Sequence, residues 1–124
     1  MAKTIMIVDD SSTMLMSLQN SLEIAGFNVV AASDGEIALG KLQKGPKPDL
    51  IITDINMPNM GGIEFIGKAR LLGGFRFTPI LALTTESQQG KRDEAKKIGA
   101  TGWLVKPVSG ADLNKIIKQV LPGA

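Results

Sequence analysis

Five short apolar runs, each followed by a segment with helical spacing, constrain this chain more than any other feature. The runs are Thr4–Val8, Asn28–Ala32, Leu50–Thr53, Ile80–Leu83 and Gly102–Val105. Each is rich in Ile, Val or Leu and nearly continuous rather than alternating, as in strands buried on both faces. Between them, apolar residues recur at helical intervals: Leu15, Leu18, Leu22 and Ala25, then Phe65, Ile66, Ala69 and Leu72. The clearest such face is Leu113, Ile116, Ile117, Val120 and Leu121. Ser12, Asp34, Ser87 and Ser109 stand where N-caps belong, Ser109 with Asp112 three residues on. Gly26, Gly45, Gly73 and Gly99 follow the last turns, where a left-handed residue costs glycine least. The prolines of GPKP (Gly45–Pro48) then block the second helix from running on into the third strand. Ser87–Ile98 is mostly polar and gives the weakest helical pattern. Strand and helix alternating five times predict an α/β fold, a doubly wound parallel sheet with helices on both faces.

A chain of 124 residues is expected to form one domain, spanning 1–124, around a single core. It is 44% hydrophobic and 21% charged, a globular balance, and its 4% aromatics leave the core to Ile, Leu, Val, Ala and Met. A formal charge of +2, dispersed along the chain, gives no footprint for nucleic acid. The chain has neither cysteine nor histidine. Disulfides, thiolate or imidazole metal sites and Ser-His catalysis are therefore excluded. The apolar run in MAKTIMIVDD is too short for a signal peptide or a membrane span, so a cytoplasmic protein is expected.

In a doubly wound sheet, ligands bind beyond the carboxyl ends of the strands. Here the first strand ends in Asp9-Asp10, the third in Asp54, the fourth in Thr84-Thr85 and the fifth in Lys106-Pro107. Taken singly, each has an ordinary explanation as a turn former, a cap or a surface lysine. Parallel strands change this, because three carboxylates, hydroxyls and an ammonium then converge on one edge. Two like charges near 4 Å repel by roughly 4 kcal/mol at an effective dielectric of about 20. Three packed carboxylates therefore tend to hold a proton or bind a cation. All-oxygen ligation suits Mg²⁺, or Mn²⁺, rather than zinc. A lysine at the rim could contact an anion lying between it and the metal, which describes a phosphoryl site.

The segments IMIVDDSSTM, DLIITDINMPNMGG, ILALTTES and GWLVKP resemble the receiver domains of two-component signalling, most closely the single-domain chemotaxis regulators of CheY type. The resemblance runs from about Lys3 to Leu121 and leaves no segment for an output domain. It implies a flavodoxin-like, CheY-like sheet of order 2-1-3-4-5 with five helices. It implies a monomer that catalyses its own phosphorylation and dephosphorylation without turning over an external substrate. Asp54 would take a phosphoryl group from a CheA-like histidine kinase. Asp10, Asp54 and the backbone carbonyl of Asn56 would hold Mg²⁺, with Asp9 acting largely through a water on the ion. Lys106, aimed by a Lys-Pro bond that is often cis in this family, would pair with the phosphoryl oxygens. Thr84 would be the switch hydroxyl, and Trp103 the aromatic that turns into the space Thr84 vacates. The output face would include Trp103, Val105 and the fourth and fifth helices, with Lys91, Arg92, Lys115 and Lys118 among their charges. Asn56 and Glu86 would tune dephosphorylation, and small, polar groups there predict a phosphorylated state lasting seconds to minutes. Two positions depart from the common pattern: Gly61 replaces an Asp at the start of the third helix, and Trp103 replaces the more familiar Tyr.

The resemblance leaves several downstream roles. Control of a flagellar motor switch fits TTES, GW and the STM of DDSSTM, while a phosphate sink or a phosphorelay intermediate would use the same chemistry. A more remote reading is an aspartate-nucleophile phosphatase of the haloacid dehalogenase kind. Those enzymes need D-x-D, and Asn56 stands where the second, proton-donating Asp would be. A flavodoxin-like mononucleotide site is disfavoured because Asp9 and Asp10 would repel a phosphate.

Overall fold

The computed structural model describes residues 3–57, 59–84, 89–106 and 108–121. Its strands are β1 (Thr4–Val8), β2 (Asn28–Ala32), β3 (Leu50–Asp54), β4 (Ile80–Thr84) and β5 (Gly102–Val105). Its helices are α1 (Ser12–Ile24), α2 (Gly35–Lys44), α3 (Gly62–Leu71), α4 (Gln89–Ile98) and α5 (Gly110–Val120). The strands form one parallel sheet in the order β2-β1-β3-β4-β5. β3 and β4 each run one residue further than their apolar runs, since pairing continues through Asp54 opposite Leu83 and Thr84 opposite Val105. The two acidic and hydroxyl groups are thus held by the ladder itself.

Alternate residues of the central strands feed two separate cores. Met6, Val8, Ile51, Ile80 and Ala82 pack with Ala38 and Leu42 of α2, Phe65, Ile66 and Ala69 of α3, and Ala95 of α4. Ile5, Ile7, Leu50, Ile52, Leu81 and Leu83 pack with Leu18 and Leu22 of α1 and Leu113 and Ile117 of α5. Every residue of β3 and β4 is buried, as continuous apolar runs predict, while the edge strands β2 and β5 are only half-buried. α4 is polar apart from Ala95 and Ile98, which accounts for its weak pattern in the sequence. No helix among the described residues is long and apolar enough to cross a membrane.

The caps refine the reading. α1 is capped by Ser11 rather than Ser12: the Ser11 hydroxyl accepts from the Met14 amide at 3.2 Å. The chain turns one residue early because the Ser11 amide already donates to Asp9 Oδ1 at 2.9 Å. Asp34 and Ser109 cap α2 and α5 as expected, accepting from the amides of Ile37 and Asp112. Ser87 lies outside the described residues. Gly26 and Gly99 take the left-handed backbone, at φ 98° and 118°. Gly45 does not, because Pro46 follows it and restricts it to an extended conformation. After α3 the left-handed residue is Gly74 rather than Gly73, since Leu72 leaves the helix in an extended conformation first.

One clamp had no signal in the pattern. The Arg70 guanidinium of α3 donates to the Gly99 carbonyl beyond α4, at 3.1 and 2.7 Å, and to the carbonyls of Phe75, Arg76 and Thr78. It joins α3, the connection to β4 and the end of α4.

Candidate functional site

Because all five strands run the same way, their carboxyl ends meet at one edge. Asp9 follows β1, fully buried, with Oδ1 fixed by the Ser11 amide. Asp10 beside it is exposed. Asp54, the last residue of β3, is buried, and its Oδ1 accepts from the Ile55 amide at 2.8 Å. The three carboxylates offer oxygens that all lie within 4.8 Å of one another. Hard oxygen ligands gathered this closely suit a divalent cation.

Lys106 follows β5, and its amide continues the ladder by donating to the Thr84 carbonyl at 2.7 Å. That bond aims its side chain across the sheet edge. Lys106 Nζ stands 3.2 Å from Asp54 Oδ2 and 3.4 Å from Asp9 Oδ2. One ammonium thus serves two buried carboxylates. Burial first, and the Asp9 charge second, raise the Asp54 carboxyl above its ordinary range, although Lys106 and the Ile55 amide pull it down. Burial acts to lower the Lys106 ammonium, yet Asp54 and Asp9 together outweigh it and the net shift is upward.

Thr84 is buried at the end of β4, its hydroxyl donating to the Leu104 carbonyl at a long 3.5 Å. Trp103, opposite Ala82 on the edge strand, is 38% exposed, so its ring stands at the surface. Asn56 is exposed just beyond Asp54. Thr85, Glu86 and Pro107, and with Pro107 the Lys-Pro bond, lie outside the described residues, as does the side chain of Lys91. Asp9, Asp10, Asp54 and Lys106 are therefore brought together. Thr84 joins them through the backbone of Lys106, and Trp103 is set apart on the outer face. Sequence reasoning missed the supporting amides of Ser11 and Ile55, and the bond from Asn59 Nδ2 to Asp34 Oδ2 at 3.3 Å. For that last bond the sequence held one hint, since Asn tolerates the left-handed backbone better than most residues.

Comparison with known proteins agrees with this geometry. Residues 5–118 match the response regulator receiver domain family. Chemotaxis protein CheY-3 of Vibrio cholerae is 38% identical over 117 residues, covering 94% of this chain and 89% of that protein. Alkaline phosphatase synthesis transcriptional regulatory protein PhoP of Bacillus subtilis is 36% identical over 121 residues. That match takes in 98% of this chain but only 49% of PhoP, so the chain spans about half of that relative. The solved structure of chemotaxis response regulator CheY4 of Vibrio cholerae superposes with a TM-score of 0.92 at 44% identity, covering 98% of this chain and all of that one. The family is one of signalling receivers rather than of enzymes that turn over an external substrate. This chain belongs to the response regulator receiver domain family, and it is a phosphorylation-switched response regulator with a CheY-like fold.

Proposed function

We propose that Asp54 is the phosphoacceptor and that the whole of 1–124 works as a single receiver whose phosphorylation sets its affinity for a downstream protein. The observation that carries this reading is the pairing of Lys106 with Asp54 Oδ2 while Asp54 Oδ1 is anchored by the Ile55 amide. One carboxylate oxygen is fixed and the other faces a cation, where an incoming phosphoryl group would lie. Oδ2 attacks phosphorus, a P–O bond forms, and the N–P bond to the donor's histidine breaks. The leaving imidazole keeps the electron pair and takes up a proton. Lys106 then pairs with phosphoryl oxygens as a point charge. Thr84 gives up its long bond to Leu104 and donates to the phosphoryl group. Trp103 turns into the space that Thr84 leaves.

The acidic cluster fits Mg²⁺ or Mn²⁺: Asp10, Asp54 and the Asn56 carbonyl would hold the ion, and Asp9 would support it through water. Such an ion supplies positive charge that neutralises the transferring phosphoryl group and aligns donor with acceptor. Asn56 and Glu86 set the access of water to the acyl phosphate and keep the phosphorylated state short-lived.

The donor is a histidine kinase, and the likeness to the Vibrio chemotaxis proteins supports motor control as the output. The protein then acts in the cytoplasm as a monomer, without nucleic acid or membrane. Calorimetric titration with Mg²⁺ tests the site: wild type binds, and Asp10→Asn and Asp54→Asn each lose binding. Undiminished binding by both variants would remove the site. Pull-down with and without phosphorylation tests the output, since partner capture independent of phosphorylation would count against a motor switch.

A further inference from the structure

Among the described residues, Asn59 is the only non-glycine residue with a left-handed backbone, at φ 65°. It sits in the connection 55–61 between β3 and α3, the segment that carries Asn56. The two ends of this segment are tied by the Gly62 amide donating to the Ile55 carbonyl at 2.8 Å. Near its far end, Met60 is buried in the core. The side chain of Asn59 reaches out of the segment, its Nδ2 donating to Asp34 Oδ2. Asp34 is committed at its other oxygen, where Oδ1 caps α2 through the Ile37 amide at 2.8 Å. One carboxylate therefore fixes both the start of α2 and the β3–α3 connection, 25 residues apart in sequence.

We infer that Asp34 and Asn59 are positioning residues for the cation site, an inference that rests on the Mg²⁺ reading above. A backbone carbonyl is a weak ligand that competes with water. Its contribution depends on how well its segment is held before the ion arrives. Hydrogen-bond partners behind metal ligands act in this way and tune affinity without touching the ion. A left-handed Asn is a small local cost, and such costs cluster at functional sites.

Two substitutions break the bond and leave the rest intact. Asn59→Gly keeps the left-handed backbone without strain. Asp34→Ser keeps an N-cap on α2 but offers no oxygen placed for Asn59. Mg²⁺ affinity is measured by calorimetry, and metal-free stability by melting in EDTA. Each variant is expected to weaken Mg²⁺ binding about threefold to tenfold while melting close to wild type. The double variant should match the single ones, because the same bond is removed once. Hydrogen exchange across 55–61 in the metal-free protein should quicken in all three. Smaller losses of affinity, additive losses, or a fall in melting temperature with unchanged affinity would overturn the positioning role. If wild type itself failed to bind Mg²⁺, the cation-site reading would fall with it; normal wild-type binding with unaffected variants would overturn only the inference about Asp34 and Asn59.

Discussion

Ionising Asp54 carries a cost that the fold sustains. Its carboxyl is raised by burial and by Asp9, so the folded protein holds that proton more tightly than the unfolded chain does. Stability from this group is therefore greatest at low pH and falls as pH rises from the ordinary value of 3.8 through the raised folded value. Asp54→Asn removes the cost and keeps the shape. In EDTA the variant should melt above wild type near neutral pH, with the gap closing as pH drops toward the ordinary carboxylate range. A lower melting temperature at neutral pH would show that the Lys106 pairing outweighs burial. Lys106 invites a second prediction. Its ammonium sits on Asp54 Oδ2 and Asp9 Oδ2, the acidic cluster proposed to hold the ion. Lys106→Met should bind Mg²⁺ severalfold more tightly yet accept a phosphoryl group at least about tenfold more slowly. Weaker Mg²⁺ binding by the variant, in the same titration, would contradict this competition.

At the scale of elements, most of the architecture was legible because the central strands are apolar without interruption and the helices between them, α4 apart, are one-sided. Asp9, Asp10, Asp54 and Lys106 could be placed together from order alone, since a parallel sheet collects strand ends. The bond from Asn59 to Asp34 and the Arg70 clamp were not legible, because both join segments distant in sequence through polar groups that carry no periodicity. The side of the sheet edge on which Trp103 stands was not legible either, since an aromatic on an edge strand can face either way. The junction of β3 and α3 gives the sharpest test of packing. A Cβ at Gly62 would run into the backbone carbonyl of Asp54, which cannot move without disturbing the proposed acceptor. Gly62→Ala should cost about 3 kcal/mol or more in urea unfolding. Gly61→Asp gives α3 an acidic cap; its φ of −70° is open to a side chain, whose Cβ would lie 3.3 Å from the Ile55 carbonyl. It should gain only a few tenths of a kcal/mol, about the difference between Gly and Asp at an N-cap. A neutral Gly62→Ala would mean that this close approach is not fixed.

For the whole molecule, the sheet sets the proposed site of chemistry apart from the proposed output face. The acidic cluster lies where the strand order reverses, beyond β1 and β3, while Trp103 lies on the outer strand β5. Thr84 links them, through the Lys106 amide on one side and the Leu104 carbonyl on the other. On the proposed reading, a population shift between two packings would begin at Asp54 and reach the face around β5 by this route. All of this depends on Asp54 accepting a phosphoryl group. The most direct test is intact mass after incubation with acetyl phosphate and Mg²⁺, comparing wild type with Asp54→Asn and with an EDTA control. The account predicts a phosphoryl adduct on wild type that is absent in both controls. No adduct under conditions that trap a transient species, or an adduct that persists in Asp54→Asn, would contradict it.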